Sequence, residues 1–209
     1  MTTPHVVLSA INVATGKPEY FDNRKKRLEI DHIIASGSIP PAFPMTHIGK
    51  DHYWDGGLFL NTPLSSAINC LERIPEQKPG TVRRELIVVE LFPMSGPLPD
   101  DMAQVTNRRG QIMFASKFNI DHKLFMTIND TIDFIRKIEE HIPAHLQNEP
   151  AYQNIFKRHE KMDALTVIRA EFPDDKADAG DFSEDTIDYR IKAGYDKAKA
   201  QNIGTPQPL

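Results

Sequence analysis

Asp55 stands between Tyr53-Trp54 and Gly56-Gly57 in the stretch HYWDGGLFLNTPL, residues 52–64. Aspartate is a poor strand former and is costly to bury unless paired or hydrogen-bonded. Leu58, Phe59 and Leu60 follow it, so its surroundings are expected to be apolar. Two roles fit these residue types. Asp-Gly is a hairpin-turn signal, under which Asp55-Gly56-Gly57 is a turn. Alternatively, the glycines clear room for backbone or substrate beside an acid held at the end of a strand. The residues alone leave both open.

Other chemistry is scarce. The eleven glycines are so spaced that no G-x-G-x-x-G loop, Walker A loop or G-x-S-x-G nucleophile elbow occurs in the chain. His159-Glu160 opens like H-E-x-x-H, but Asp163 stands where the second histidine should be, and a solvated helix face is the expectation. No metal site and no cofactor are expected. Cys70 is the single cysteine, so no intrachain disulfide forms, and it reads as a small core residue in a reducing compartment. A net charge of −4 gives no electrostatic footprint for nucleic acid. The basic run Arg24-Lys25-Lys26-Arg27 reads either as a solvated loop or as a contact for phosphates or anionic lipid. The chain has neither the apolar run of a membrane span nor the pattern of a signal peptide, which points to the cytoplasm.

The elements that must position Asp55 follow from pattern. HVVLSAINVATGKPEYF reads as a hairpin that begins almost at Met1, as though the chain starts in mid-fold. LEIDHIIASGSIPPAFP reads as a short helix closed by Ser36-Gly37 and Pro40-Pro41. HYWDGGLFLNTPL is expected to be extended as far as Pro63. PLSSAINCLERI has a helical stripe of Leu64, Ala67, Ile68 and Leu71, with Ser65 and Ser66 at its start. EQKPGTV reads as a loop, and LIVVELF as a strand covered on both faces. PMSGPLPDD marks a boundary, giving domains over residues 1–93 and 94–209. Beyond it, helices are expected over DDMAQVTNRRGQIMFASK, NDTIDFIRKIEEHI and PAYQNIFKRHEKM, then a strand at TVIRAEF. DFSEDTIDYRIKAGYDKAKA is a helix capped by Ser183 or Asp181, with an Ile187, Ile191, Tyr195 stripe and a frayed tail.

The order ASGSIPPAFP, YWDGG, NTPL resembles the C-terminal half of the patatin-like acyl hydrolases (patatin-like phospholipases). There, A-S-x-x-x-P-x-x-F-P precedes D-G-G and N-x-P-L follows it. The resemblance covers roughly residues 5–92, and the remainder is similar to a C-terminal extension found on a bacterial subgroup. It implies an α/β chain with a three-layer α/β/α fold and a mostly parallel central sheet, here its C-terminal portion only, followed by a mainly helical extension. It implies a Ser-Asp dyad without histidine, in which Asp55 is the general base. Gly56, Gly57, Ser36 and Pro40 would shape its site. Apolar surroundings would raise the carboxyl from its usual ~3.9 towards operating pH. The serine would attack an ester carbonyl and water would clear the acyl-enzyme.

The family's serine elbow and glycine-rich oxyanion loop lie upstream of everything matched, and Ser36, Ser38, Ser65 and Ser66 do not replace the serine by context. The isolated chain is therefore expected to be inactive. Two readings remain. In one, the chain is part of a lipid or ester hydrolase whose N-terminal half comes from another chain or a longer gene product. In the other, it is a non-catalytic remnant or interaction module. An unpaired sheet edge would favour self-association, and a lipid substrate would bring the protein to a membrane or lipid surface.

Overall fold

The structure, a computed structural model, describes residues 4–74, 82–154, 159–169 and 181–203. The chain is mixed α/β and forms two compact units, Met1–Thr62 and Pro63–Leu209.

The first unit is built on β1 (Val7–Asn12), β2 (Pro18–Asp22), β3 (Thr46–Ile48) and β4 (Asp51–Asp55), with helices α1 (Ile30–Ser36) and α2 (Gly57–Leu60). The sheet order is β2-β1-β4-β3 and every pairing is antiparallel, where the resemblance led to a mostly parallel sheet. The β1–β2 hairpin forms as expected. Its turn is closed by the Asn12 side chain, whose Oδ1 accepts from the Ala14 and Thr15 N–H groups at 3.1 and 3.2 Å. Ala10, Ala35 and Tyr53 make the core, with Phe21 and Ile48 packed against them. Tyr53 carries its phenol into this core by donating to Glu19 Oε2 at 2.8 Å, while Asn12 Nδ2 donates to Glu19 Oε1 at 3.0 Å. Burial, reinforced by the Glu19 carboxylate, pushes the Tyr53 hydroxyl up to about 12, so it remains a donor at physiological pH.

HYWDGGLFLNTPL is not extended throughout. The strand ends at Asp55, and α2 begins at Gly57. Gly56 adopts helical angles (φ −59°, ψ −24°), and its carbonyl accepts from the Phe59 and Leu60 N–H groups, both at 3.0 Å. The chain thus turns from strand to helix immediately after the acid.

The second unit contains α3 (Leu64–Glu72), β5 (Glu85–Glu90), α4 (Met102–Ile138), α5 (Ala144–Gln147), α6 (Pro150–Tyr152), β6 (Ala164–Arg169) and α7 (Glu184–Ala200). β5 and β6 pair in parallel, in register from Glu85–Ala164 to Glu90–Arg169. Leu64, Leu86, Val88, Phe118, Phe125 and Met162 form the core, and Ile68, Leu71, Leu165 and Val167 pack against it. β5 is not covered on both faces. Leu86 and Val88 are buried, but Ile87 and Val89 are 53% and 56% exposed.

The two helices expected after residue 100 are one helix of 37 residues. Nothing breaks it, since the segment contains no proline. Asn129, which reads as the start of a new helix, spends its amide elsewhere. Its Oδ1 accepts from the Met162 N–H at 2.9 Å and its Nδ2 donates to the Met162 carbonyl at 3.2 Å. α7 forms as expected with Ser183 at its N-cap, but the Asp181 carboxylate makes the capping bonds, to the Ser183 N–H at 2.9 Å and the Thr186 hydroxyl at 2.6 Å. The EQKPGTV loop up to Thr81, residues 155–158 of the PAYQNIFKRHEKM segment, the end of TVIRAEF and the tail from Gly204 lie outside the described residues.

Asp133 ties α4 to the approach to β6. Lys137 Nζ lies 2.6 Å from its Oδ2 and Lys161 Nζ 2.5 Å from its Oδ1. Hydrogen bonds from Lys137 first, then Lys161, pull the Asp133 carboxyl down to about 2. A lowered carboxylate contributes stability that is fully present above its ordinary value and lost as pH falls towards 2. Asp133→Asn should therefore melt below the parent protein at neutral pH, with the difference closing as pH approaches 2. Melting curves across that range measure it, and a gap that persists in acid would rule out this ion pair as its cause.

Candidate active site

Asp55 is the last residue of β4, opposite Ala10 of β1. Its N–H donates to the Ser38 carbonyl at 3.0 Å, which pins the strand end to the segment just after α1. Ser38 is buried and itself fixed, its hydroxyl donating to the Ile34 carbonyl and meeting Thr46 Oγ1, both at 2.8 Å. Asp55 Oδ1 accepts from the Gly57 N–H at 2.7 Å. Among the described residues Oδ2 has no hydrogen-bond partner. Burial pushes the carboxyl above its ordinary value, and the Gly57 N–H, the smaller influence, pulls it back. One oxygen is thus held and the other is left for a proton donor, on an acid made more basic than a free aspartate.

The two glycines serve this arrangement differently. Neither needs a left-handed backbone. A Cβ on Gly56 would lie 2.4 Å from Ser9 Oγ, 2.6 Å from the Ser9 carbonyl oxygen and 2.7 Å from its carbon. Gly56 therefore lets the turn after Asp55 lie directly against β1. A Cβ on Gly57 would lie 3.1 Å from Asn61 Oδ1 and 3.2 Å from Asp55 Oδ1. Gly57 leaves that space to the two side-chain oxygens.

Asp55, Gly56 and Gly57 are thus brought together. Ser36 ends α1, and Pro40 forms a cis peptide with Pro41. It is Ser38, through its carbonyl, that bonds to Asp55. Sequence reasoning passed over Ser9 and Asn61 as neighbours of the acid. Asn61 carried a signal as the first residue of the N-x-P-L match, and Ser38 lies in the ASGSIPPAFP segment that the resemblance assigns to packing near the site.

His159 and Glu160 lie outside helix, in the approach to β6, and not on a solvated helix face. His159 Nδ1 is 2.9 Å from Glu72 Oε1, and Glu160 Oε2 is 2.5 Å from Arg136. They border a cleft of ≈180 Å³ floored by Ile68, Phe125, Ile132 and Met162. No group of His, Cys, Asp or Glu suited to a metal ion occurs among the described residues. No described helix is long and apolar enough to cross a membrane.

An acid at the end of a strand, raised by burial and followed by paired glycines, thus sits in a mixed α/β chain. A family model described as Patatin-like phospholipase matches residues 2–68, and a second, described as Patatin phospholipase, matches residues 112–201. The chain belongs to the patatin-like phospholipase family, a family of lipid acyl hydrolases. No curated protein matches it.

Proposed function

We propose that this chain supplies the general-base portion of a patatin-like serine acyl-ester hydrolase. Asp55 takes the proton of a serine hydroxyl through Oδ2 while Gly57 holds Oδ1. The serine oxygen attacks the ester carbonyl, and the proton passes from Asp55 to the departing alcohol. Asp55 then takes a proton from the water that attacks the acyl-enzyme and returns it to the serine oxygen as the carboxylic acid leaves. The observation that carries this reading is the Asp55 carboxyl itself, raised by burial with one oxygen fixed. The serine elbow is not in this chain and would come from an upstream segment or another chain. The reading includes a division into a catalytic portion over 1–93 and an extension over 94–209, and the family matches at 2–68 and 112–201 fall on either side of it.

The test is complementation. The chain alone should not turn over short p-nitrophenyl esters. Mixed with an N-terminal segment of the same family that carries G-x-S-x-G, it should. A mixture no faster than the same mixture made with Asp55→Asn would overturn the reading. So would turnover by the homogeneous chain alone that a serine-reactive phosphonate abolishes.

A further inference from the structure

Helix α1 is amphipathic the wrong way round for a surface helix. It buries His32 and Ala35, at 2% and 0% exposure, and leaves Ile30, Ile33 and Ile34 at 74%, 61% and 51%. The three isoleucines are spaced i, i+3, i+4 and share one face. The interior side is closed: the His32 ring meets Phe21 edge-on at 4.5 Å, and its Nδ1 accepts from the Glu29 N–H at 2.9 Å. Three large apolar side chains on one open face call for a cover.

The run Arg24-Lys25-Lys26-Arg27 ends three residues before Ile30 and is presented by a built turn. The Arg24 N–H donates to Asp22 Oδ1 at 2.9 Å, and the Lys25 and Lys26 N–H groups donate to the Asp22 carbonyl, both at 3.0 Å. Asp22 is anchored in turn by His5 Nε2 at 2.8 Å. The main chain of the run is folded onto Asp22, and all four cationic side chains are exposed. Glu29 and Asp31 are the exposed acids nearby, so four positive charges against two negative leave a net +2 over residues 24–34. This surplus sits in a chain whose net charge is −4.

We infer that the basic turn 24–27 and the isoleucine face of α1 together form a docking surface for an anionic phospholipid bilayer. Cations meet the headgroups while the isoleucines enter the acyl boundary, the division of labour of helices that lie in a membrane surface. An anionic bilayer engages both features at once, the net +2 and the isoleucine face, and a protein cover is read out by light scattering. The inference rests on the lipid-hydrolase reading for its purpose, since it would seat the acid-bearing unit at the surface where its substrate lies. The binding itself needs no turnover.

Flotation of the full chain with vesicles tests it. Binding is expected to phosphatidylcholine vesicles containing phosphatidylglycerol, weak binding to phosphatidylcholine alone, and release by added salt. Replacing Arg24, Lys25, Lys26 and Arg27 together by Gln should weaken binding at least about tenfold. Replacing Ile30, Ile33 and Ile34 together by Ser should do the same by removing the apolar contribution. All seven side chains are exposed, so circular dichroism should show both variants folded. Absence of binding to anionic vesicles, or binding that survives both sets of substitutions, overturns the inference. So does light scattering that shows the parent to be a dimer, and the Ile→Ser variant a monomer, with no vesicle binding by either. Asp55→Asn should float like the parent, so loss of docking and loss of hydrolysis are read separately.

Discussion

Asp55→Asn is expected to reduce kcat of the complemented hydrolase by about 10²–10⁴-fold, the usual contribution of a positioned general base. Asparagine keeps the shape of the side chain and its carbonyl can still accept from the Gly57 N–H, so binding of the ester, and hence KM, should change little. What is lost is the acceptor for the serine proton. The pH profile gives a second, independent readout. A base must be ionised to act, so the acid limb of kcat/KM should lie above the ordinary carboxylate range, in the direction that burial moves the Asp55 carboxyl. Stability moves the other way. Because the folded carboxyl is raised, the unfolded chain ionises first as pH rises, and Asp55 progressively destabilises the fold from the ordinary carboxylate value upward to the raised one. Asp55→Asn should therefore be as stable as the parent at neutral pH, or more so. A variant that is inactive because it is unfolded would defeat the assignment; one that is inactive and no less stable would support it.

The readable parts of the fold were those set by local pattern. The β1–β2 hairpin, α1 with its stop at Gly37, α3 and β5 all follow from periodicity and terminating residues. One error arises where a remote contact outbids a local signal. Asn129-Asp130 reads as a helix start, yet Met162, 33 residues away in sequence, takes the Asn129 amide and α4 runs straight through. The LIVVELF run reads as a doubly covered strand because both of its faces are apolar, but residue type cannot say whether a cover is present. HYWDGGLFL was misread for a subtler reason. Two glycines in an apolar run suggest a bend within a hairpin, while the chain instead enters a helix directly after Gly56, the residue that lies against Ser9. Asp55 drew attention because its neighbours match a family pattern in order. Its hold on Ser38 and Gly57 was not legible, since both partners are main-chain atoms that carry no residue-type signature.

Gly56→Ala should be the most destabilising small substitution in the first unit, and its partner Gly57→Ala should not. The reason lies in what each new methyl group meets. At Gly56 it would fall 2.6 and 2.7 Å from the carbonyl oxygen and carbon of Ser9, main-chain atoms of a strand paired on both sides. Those atoms cannot yield without opening the β1–β4 ladder next to Asp55. Overpacking of this kind costs about 1–3 kcal/mol, and more where the obstacle is backbone. Removing the nearest obstacle does not help: Ser9→Gly deletes Oγ, at 2.4 Å, but leaves the carbonyl in place, so the double variant should remain destabilised. At Gly57 the obstacles are the Asn61 and Asp55 side-chain oxygens, at 3.1 and 3.2 Å, and side-chain ends can turn aside. Gly57→Ala should keep stability close to the parent's while turning the Asp55 carboxylate from its Gly57 N–H, so that its loss appears in kcat. Urea unfolding of the chain alone, which needs no complementing segment, decides the first comparison. Gly56→Ala and Gly57→Ala unfolding at the same midpoint would mean that the close approach of Gly56 to β1 does not hold the site together.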